Sequence, residues 1–315
     1  MRLETPMTLS THIVATAYGD PTEVLSAVEA ELPSPGPGQV AVEVRAAGVN
    51  PMDLKIVTGF MGTDESKLPR RLGLEVAGVV TAIGDGVEPA VGDEVIVYPA
   101  AGGYTDRLIA EASSVHTKPT ELDFEHAAGL LLVGGTAADL VATAGVGSGD
   151  VVLIHGGAGA VGTIAVQLAV RAGASVIATA SPANHTFLAG LGAVPVAYGP
   201  GLLDRVTDAA TGPVTASVDT VGTDEAIDTS LALHAADRIV SIAAFGRADD
   251  GIVLLDGSTA DSKRHRSDAA AGLIADAASG TLVTEVAKTF DLRDAGQALG
   301  ELGRSHPRGK FILLP

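Results

Sequence analysis

The sequence predicts a mixed α/β protein that joins a β-rich part to a doubly wound parallel sheet. Three observations predict it: short strands with glycine turns in the first third, alternating strands and helices in the middle, and a glycine-rich turn between a strand and a helix. The chain has 315 residues and is 46% hydrophobic, which is enough apolar material for two domains.

The composition excludes several classes of function. The chain has no cysteine, so it has no disulfide, thiolate metal site or thiol nucleophile. Its net charge of −18 disfavours binding to nucleic acid or to an anionic membrane surface. The N-terminus lacks a secretion-signal pattern and no apolar run reaches spanning length, so we expect a soluble, cytoplasmic protein. The one basic cluster, residues 263–266, is expected to be a solvated helix start.

The first third of the chain has the pattern of a compact, barrel-like β domain. Residues 39–45, "QVAVEVR", alternate like a half-buried strand and follow a turn rich in proline and glycine. Residues 75–83 and 91–98 are predicted to be further short strands.

The pattern changes near residue 124, where helical segments are predicted with an interruption at Gly134 and Gly135. Strands and helices then alternate, which indicates a parallel doubly wound sheet. Strands are predicted at 151–155, 175–180, 194–197, 216–219 and 238–243, and helices at 160–172, 183–190 and 224–235. The tail is predicted to add helices at 267–279 and 292–303 and strands at 282–290 and 310–315.

The stretch "GGAGAVG" (156–162) lies between the strand at 151–155 and the helix at 160–172, which is the context of a dinucleotide-binding turn. We expect Gly157 to allow the tight turn, Gly159 to let the backbone approach a pyrophosphate, and Gly162 to let the helix pack closely. The first N–H groups of the helix, at Ala160 and Val161, would then face the phosphates.

The second strand of this unit predicts which dinucleotide is bound. An NAD site needs an acidic residue at the end of that strand, yet no Asp or Glu occurs between Asp150 and Asp204. Ser181, Asn184 and His185 can instead donate hydrogen bonds to a 2′-phosphate. The sequence therefore favours NADPH over NADH, although the loop contains no Arg or Lys.

The sequence resembles the quinone oxidoreductase branch of the medium-chain dehydrogenase/reductase superfamily, which lacks zinc. The resemblance rests on the glycine turn and on six further motifs: "AAGVNPMDLKIVTG", "LGLEVAGVVTAIGDGV", "VGDEVIVYP", "GGYTDRLIA", "LLVGGTAADLV" and "GRSHPRGKFILLP". It implies a GroES-like catalytic domain made of residues 1–125 and 260–315, a Rossmann domain at 126–259, and a homodimer.

Zinc-dependent relatives place a cysteine and a Gly-His-Glu triplet where this sequence has Asn50 and Gly73-Leu74-Glu75, so no metal is expected. Without a Lewis acid, hydride transfer suits acceptors that are already electron-poor, such as quinones and α,β-unsaturated carbonyls. The expected function is an NADPH-dependent, zinc-independent reductase of such acceptors. Two alternatives stay open: a 2-enoyl thioester or alkenal/enone reductase, and an NADPH-binding sensor or interaction protein with little turnover.

Four residues are candidates for the catalytic site, each with a structural alternative. The resemblance places Asn50 beside the nicotinamide, although an Asn-Pro pair also favours a turn. Lys55 stands where relatives often carry tyrosine and could donate a proton or bind an acidic substrate group, although a lysine is usually a solvated surface residue. Tyr98 and Tyr104 are possible proton donors or packing residues. Asp53 is expected to cap a helical turn.

The remaining assignments concern the cofactor. The resemblance implies cofactor contacts for Asn50, Thr136, Tyr198, Val221, Ala244, Phe245 and Gly246, and the strand-end positions among them also lie where doubly wound folds bind ligands. His155 is expected to be a satisfied polar residue beneath the turn, and Lys310 to lie at the surface.

Overall fold

In a computed structural model of the protein, which describes residues 8–304 and 308–315, the chain forms two compact units. Of the described residues, unit 1 contains 8–132, 277–279, 285–304 and 308–315, and unit 2 contains 133–276 and 280–284. None of the helices in the described residues is long and apolar enough to cross a membrane.

Unit 1 is β-rich, as the turn spacing predicted. Its strands are β1 (Thr8–Ala15), β2 (Leu25–Leu32), β3 (Gln39–Gly48), β4 (Arg70–Arg71), β5 (Val76–Ile83), β6 (Glu94–Val97), β7 (Arg107–Glu111), β8 (Val115–Thr117), β15 (Val286–Asp291) and β16 (Lys310–Leu314). Its helices are α1 (Pro21–Val24), α2 (Pro51–Val57), α3 (Phe124–Ala128) and α10 (Ala295–Arg304), with short 3-10 turns at Glu65–Lys67, Ala112–Ser114 and Leu292–Asp294.

The strands of unit 1 form two sheets. The larger sheet has the order β15-β16-β3-β5-β6-β8, with β7 also paired to β3, and the smaller has the order β2-β1-β4. Long β3 is the centre of the larger sheet because it pairs with β5, β7 and β16. Its buried residues join one apolar core with those of β5 and of C-terminal β16. The C-terminal strand is therefore an integral part of the first unit.

Unit 2 begins within α4 (Leu131–Thr143). Its other elements are β9 (Val151–His155), α5 (Ala160–Arg171), β10 (Ser175–Thr179), a 3-10 turn at Pro182–Asn184, α6 (His185–Gly190), β11 (Ala193–Val196), α7 (Leu202–Ala209), β12 (Ala216–Asp219), α8 (Asp224–Leu233), a 3-10 turn at Ala236–Arg238, β13 (Ile239–Ser241), a 3-10 segment at Phe245–Asp250, β14 (Val253–Leu254) and α9 (Ala260–Ala278).

The six strands of unit 2 form one parallel sheet in the order β11-β10-β9-β12-β13-β14. The chain runs outward from β9 to β11 and then returns to the other side of β9 at β12. This reversal is the topological switch point of a doubly wound fold, where ligands bind beyond the carboxyl ends of the strands. The predicted Rossmann architecture is confirmed.

Two local expectations for unit 2 were wrong. Helix α4 runs through Gly134 and Gly135, and a Cβ on Gly134 would lie 2.9 Å from the Leu273 side chain, so these glycines permit close packing of α9 and do not interrupt α4. Helix α9 begins at Ala260, seven positions before its predicted start at 267. Because α9 packs on α4, residues 260–276 belong to unit 2, whereas the predicted division placed everything from 260 onward in the catalytic domain.

Candidate functional site

The glycine-rich turn lies between β9 and α5. Gly156 has φ +75° and provides the left-handed backbone of the turn. A Cβ on Gly157 would lie 2.8 Å from Ala178 Cβ, and one on Gly162 would lie 2.1 Å from the Gly156 carbonyl oxygen. These two glycines let the turn pack on β10 and let α5 begin against the turn. Gly159 is the N-cap residue of α5. A Cβ on Gly159 would have no atom nearer than the Gly156 carbonyl oxygen at 3.4 Å, so the backbone there is open to a ligand.

The ends of β9 and β12 meet at this turn. The Thr220 hydroxyl donates to the His155 carbonyl over 2.8 Å. A Cβ on Gly156 would lie within 2.6 Å of Val221, so the exposed Val221 side chain stands directly beside the turn. The structure therefore brings the predicted residue Val221 and the glycine turn together at the switch point.

Sequence analysis missed Asp219, which organises this edge of the sheet. Its fully buried carboxylate accepts from the Gly222 N–H at 3.0 Å and from Ser241 Oγ at 2.5 Å. Ser241 Oγ in turn accepts from the Ala244 N–H at 2.9 Å. One carboxylate thus fixes the loops after β12 and β13, which carry the predicted residues Val221 and Ala244. The available signal was an aspartate that ends a predicted strand three positions before a glycine.

His155 ends β9 and is completely enclosed. Its Nε2 lies 3.0 Å from Ser230 Oγ, and burial lowers the pKa of His155 to about 4. The side chain is therefore neutral near pH 7, and it is a satisfied polar residue beneath the turn, as expected.

The loop after β10 brings the three predicted phosphate donors together. Asn184 Nδ2 donates to Ser181 Oγ at 3.2 Å, and His185 Nε2 lies 3.3 Å from the Ala180 carbonyl oxygen. Because a carbonyl only accepts, Nε2 carries a hydrogen in this contact. The Ser181 hydroxyl keeps its own hydrogen to donate.

The loop after β11 is held rigidly and carries an exposed aromatic ring. The Arg205 guanidinium donates to the carbonyl oxygens of Ala197, Gly199 and Pro200 at 2.7–2.9 Å. The Tyr198 side chain is 62% exposed on this loop. An exposed ring on a fixed backbone can stack on a planar ligand without a large loss of conformational entropy.

The loop after β13 and the second turn of α4 hold the other predicted cofactor residues. Phe245 is 44% exposed, Ala244 is buried, and a Cβ on Gly246 would have nothing within 4 Å. Thr136 is buried, and its hydroxyl accepts from Arg266 Nη1 at 3.0 Å.

In unit 1, Asn50 lies in a buried network of charged groups. Lys310 Nζ donates to Asn50 Oδ1 and lies 2.9 Å from Glu75 Oε1. Asn50 Nδ2 donates to Glu75 Oε1 and to the Gly48 carbonyl, both at 3.2 Å. Glu75 Oε2 accepts from the Leu132 N–H at 2.9 Å. The expectation that Lys310 lies at the surface was wrong, because Lys310 is the buried counter-ion of Glu75.

This network uses the whole Asn50 amide. Both of its N–H groups and its oxygen have partners within unit 1, and Asn50 is fully buried. The geometry therefore argues against the expected role of Asn50 as a donor to substrate or cofactor. It makes Asn50 the centre of a buried structural network.

Asp53 and Tyr104 extend the network. Asp53 accepts from the N–H groups of Asn50 and Gly73 at 3.1 Å, and from the Tyr104 hydroxyl at 2.9 Å. Burial raises the pKa of Asp53 to about 6, against hydrogen bonds that lower it. Burial, and then the Asp53 charge, raise the pKa of Tyr104 above its ordinary value. Tyr104 is fully buried and already donates to Asp53, so the geometry argues against it as a proton donor, while Asp53 caps α2 as expected.

The two other catalytic candidates are more accessible. Lys55 and Tyr98 are half-buried. Lys55 Nζ lies 5.8 Å from the centre of the Phe60 ring, and Phe60 is 74% exposed.

Within residues 8–304 and 308–315, no group of three or more histidine, aspartate or glutamate side chains is placed to hold a metal ion. The two positions where zinc-dependent relatives have a cysteine and a histidine are occupied by Asn50, whose amide oxygen accepts from the Lys310 ammonium, and by Leu74. These residues do not fit a zinc ion, because a fixed cation already binds the Asn50 oxygen and a leucine side chain has no donor atom.

Comparisons with known proteins agree with this architecture. Residues 36–148 match the family described as the alcohol dehydrogenase GroES-like domain. A probable quinone oxidoreductase of Schizosaccharomyces pombe is 32% identical over 249 residues, which cover 78% of this chain and 74% of that protein. The chain belongs to the medium-chain dehydrogenase/reductase superfamily and, within it, to the quinone oxidoreductase branch.

Solved structures show the same fold across nearly the whole chain. The Escherichia coli quinone oxidoreductase, solved with NADPH, has a TM-score of 0.81 and 27% identity, and the match covers 97% of this chain and all of that one. The CurK enoyl reductase has a TM-score of 0.86 and 26% identity over 97% of this chain and 99% of that one.

Other curated relatives are matched over only part of their length. The chain spans about half of the pig quinone oxidoreductase, with 37% identity over 166 residues. It spans 7–8% of several bacterial polyketide synthases at 37–40% identity.

Proposed function

We propose that the chain binds NADPH at the carboxyl edge of the unit 2 sheet and uses it to reduce quinones or related α,β-unsaturated carbonyls without zinc. The observation that carries the proposal is the approach of α5 to the turn, where a Cβ on Gly162 would meet the Gly156 carbonyl at 2.1 Å. That spacing, at the switch point between β9 and β12, fits a pyrophosphate against the N-terminus of a 12-residue helix.

The residues proposed to hold the cofactor surround this turn. The E. coli relative and a mycobacterial neighbour were solved with NADPH, which supports the choice of cofactor. The proposed binding residues are Gly157, Gly159, Ala160, Val161, Gly162, Ser181, Asn184, His185, Tyr198, Val221, Ala244, Phe245, Gly246 and Thr136. When bound, the cofactor supplies a hydride.

The absence of an acidic side chain in the Ser181–His185 loop supports a preference for the 2′-phosphate. A carboxylate at about 4 Å from a phosphate would cost about 1–4 kcal/mol, depending on the effective dielectric. Ser181 and Asn184 place polar hydrogens in this loop and no negative charge. Because His185 Nε2 already lies against a backbone carbonyl, we expect a modest preference, carried mainly by Ser181 and Asn184.

The residues at the zinc-ligand positions and the chemistry of the acceptor support quinones and α,β-unsaturated carbonyls as the acceptor class. The residues at the two zinc-ligand positions support zinc independence, because the Lys310 ammonium already binds Asn50 and because Leu74 has no donor atom. An acceptor that delocalises incoming charge onto its own oxygen needs no Lewis acid. Of the four catalytic candidates, the half-buried side chains of Lys55 and Tyr98 are the better placed to reach an acceptor, since Asn50 and Tyr104 are enclosed.

A second candidate function is reduction of 2-enoyl thioesters or of alkenals and enones. The similarity to the CurK enoyl reductase and to polyketide synthases favours the thioester. The net charge of −18 provides no general attraction for the phosphates of a coenzyme A arm, a group that a small quinone lacks. A cofactor-binding protein with little turnover would bind NADPH equally well and reduce neither.

The test is NADPH oxidation at 340 nm with 1,4-benzoquinone and with crotonyl-coenzyme A, repeated with NADH. We expect turnover with benzoquinone, at least about tenfold more efficient with NADPH, a difference of about 1.4 kcal/mol. Turnover only with the thioester would establish the second function. Tight NADPH binding without oxidation by either acceptor would support the non-catalytic alternative. The homodimer and the cytoplasmic location remain proposals, testable by light scattering and cell fractionation.

A further inference from the structure

The basic segment at the start of α9 is divided between solvent and the interior of unit 2, which corrects the expectation of a solvated cluster. Arg264 is 59% exposed and pairs with Asp261. His265 Nδ1 and Arg266 Nε lie 3.0 and 3.2 Å from the carboxylate of Asp139, which is fully buried on α4. The Ser262 hydroxyl donates to the same carboxylate. Arg266 is therefore a fixed cation with one buried anchor.

The topology places Arg266 at the edge of the sheet that binds ligands. Arg238, just before β13, donates to the carbonyls of Ala144 and Gly145, so α4 ends at the amino edge of the sheet. Helix α4 therefore runs from the carboxyl edge of the sheet to its amino edge, so Thr136, in the second turn of α4, lies toward the carboxyl edge. Gly257 follows β14 on the same edge, and a Cβ there would lie 3.2 Å from the Arg266 guanidinium. Arg266 thus touches two segments of the carboxyl edge.

The guanidinium is only partly used. Nε serves Asp139 and Nη1 serves Thr136, while in the described part of the chain Nη2 has no hydrogen-bond partner. The side chain is 17% exposed, and its stem lies against Gly135. An oriented, partly desolvated guanidinium with free N–H groups binds a carboxylate or another anionic oxygen well.

The position of Arg266 along the sheet indicates which ligand it would contact. β14 is the third strand from β9, so at about 4.8 Å per strand the Gly257 loop lies about 14 Å from the glycine turn. That distance separates Arg266 from the pyrophosphate proposed at the turn. It places Arg266 on the side of β12 and β13, where a doubly wound sheet holds the reacting half of a dinucleotide.

We propose that Arg266, held by Asp139, binds an anionic oxygen of the acceptor, so that the preferred acceptors carry a negative group beside the reducible ring. The inference rests on the proposed reductase function and deepens it. It makes Arg266 a residue that determines acceptor specificity, and Asp139 the residue that positions it.

The test uses two acceptors that differ by one charge: 2-methyl-1,4-naphthoquinone bearing a 3-propanoate side chain, and the methyl ester of that compound. We expect Arg266→Met to lower kcat/KM at least about tenfold for the acid, which corresponds to about 1.4 kcal/mol, and less than about threefold for the ester. The NADPH dissociation constant, measured by fluorescence, should stay unchanged. The matched control is Arg264→Met, which removes an exposed arginine two positions earlier and should change neither value.

Four results would overturn the role assigned to Arg266. Equal losses for the acid and the ester would make Arg266 purely structural, and weaker NADPH binding with an unchanged acid-to-ester ratio would assign it to the cofactor. If Arg266→Met does not fold, Arg266→Lys replaces it, because lysine keeps a cation for Asp139 but lacks Nη2. An unchanged ratio of kcat/KM for the acid to that for the ester in this variant would also refute the proposal. Wild-type protein that reduces neither compound contradicts the proposed function itself, whereas reduction without a charge effect contradicts only the role of Arg266.

Discussion

Replacing Lys310 with methionine tests the buried network of unit 1. Lys310 Nζ lies 2.9 Å from Glu75 Oε1, and the two side chains are 7% and 0% exposed. Methionine would leave Glu75, and Asp53 nearby, without a counter-ion in the interior. Removing one partner of a buried ion pair costs about 3–5 kcal/mol, because the other charge stays desolvated. We expect Lys310→Met to lower the free energy of unfolding by that amount near pH 7.

The chain provides a matched control for this change. Lys288 and Glu301 form a pair of similar length, 2.7 Å, but the side chains are 45% and 35% exposed. Lys288→Met should therefore cost less than about 1 kcal/mol. The double variant Lys310→Met/Glu75→Gln removes both charges and should regain at least about 2 kcal/mol of the loss.

The assay is urea unfolding followed by circular dichroism for the wild type, the two single lysine variants and the double variant. A loss below about 1 kcal/mol for Lys310→Met would refute the reasoning. So would a double variant no more stable than Lys310→Met, because the cost would then not come from an unpaired charge.

Two further predictions concern Tyr104 and Gly162. Tyr104→Phe removes the hydrogen bond to Asp53. The pKa of Asp53 is raised to about 6, so protonation of this carboxyl stabilises the fold below pH 4, and that stabilisation is lost as the pH rises through 6. The variant should therefore lose about 1.5–3 kcal/mol at pH 8 but less at pH 5. Tyr18→Phe breaks hydrogen bonds only to the Asp64 backbone, so its loss of unfolding free energy, measured with urea, should be the same at both pH values. A loss for Tyr104→Phe that does not change with pH would contradict the raised pKa of Asp53. Gly162→Ala should weaken NADPH binding at least about tenfold in a fluorescence titration, or about 1.4 kcal/mol, whereas Gly272→Ala, in open space in α9, should not; equal affinities would refute the close approach.

Regular elements with strong patterns could be predicted from the sequence. β9 and β12 were predicted with the bounds that the structure shows, because each is a short apolar run between turn residues. Edge strands such as β1 and β2 were missed; β2 has no fully buried position, so its sequence lacks the alternation of a half-buried strand. The interruption at Gly134 and Gly135 was wrong because a glycine can serve a neighbouring helix as well as a turn.

The candidate site was predictable only where the motif is local. The glycine turn is contiguous in sequence, so its place was found, although no sequence pattern identified Gly156 as its left-handed residue. The contact between Asn50 and Lys310 joins residues far apart in the chain, and no local pattern reports it. A lysine in a terminal strand resembles a surface residue until its partner Glu75 is known. The contact between Asp139 and Arg266 also joins residues far apart in the chain, so no local pattern reports it either.

The most direct test of the central claim is a single turnover of bound NADPH. Protein saturated with one equivalent of NADPH is mixed rapidly with excess 1,4-benzoquinone, and absorbance at 340 nm is followed against a control without protein. The account predicts that the bound NADPH is consumed completely and much faster than in the control. NADPH that stays bound and unoxidised, or that disappears at the control rate, would contradict the account.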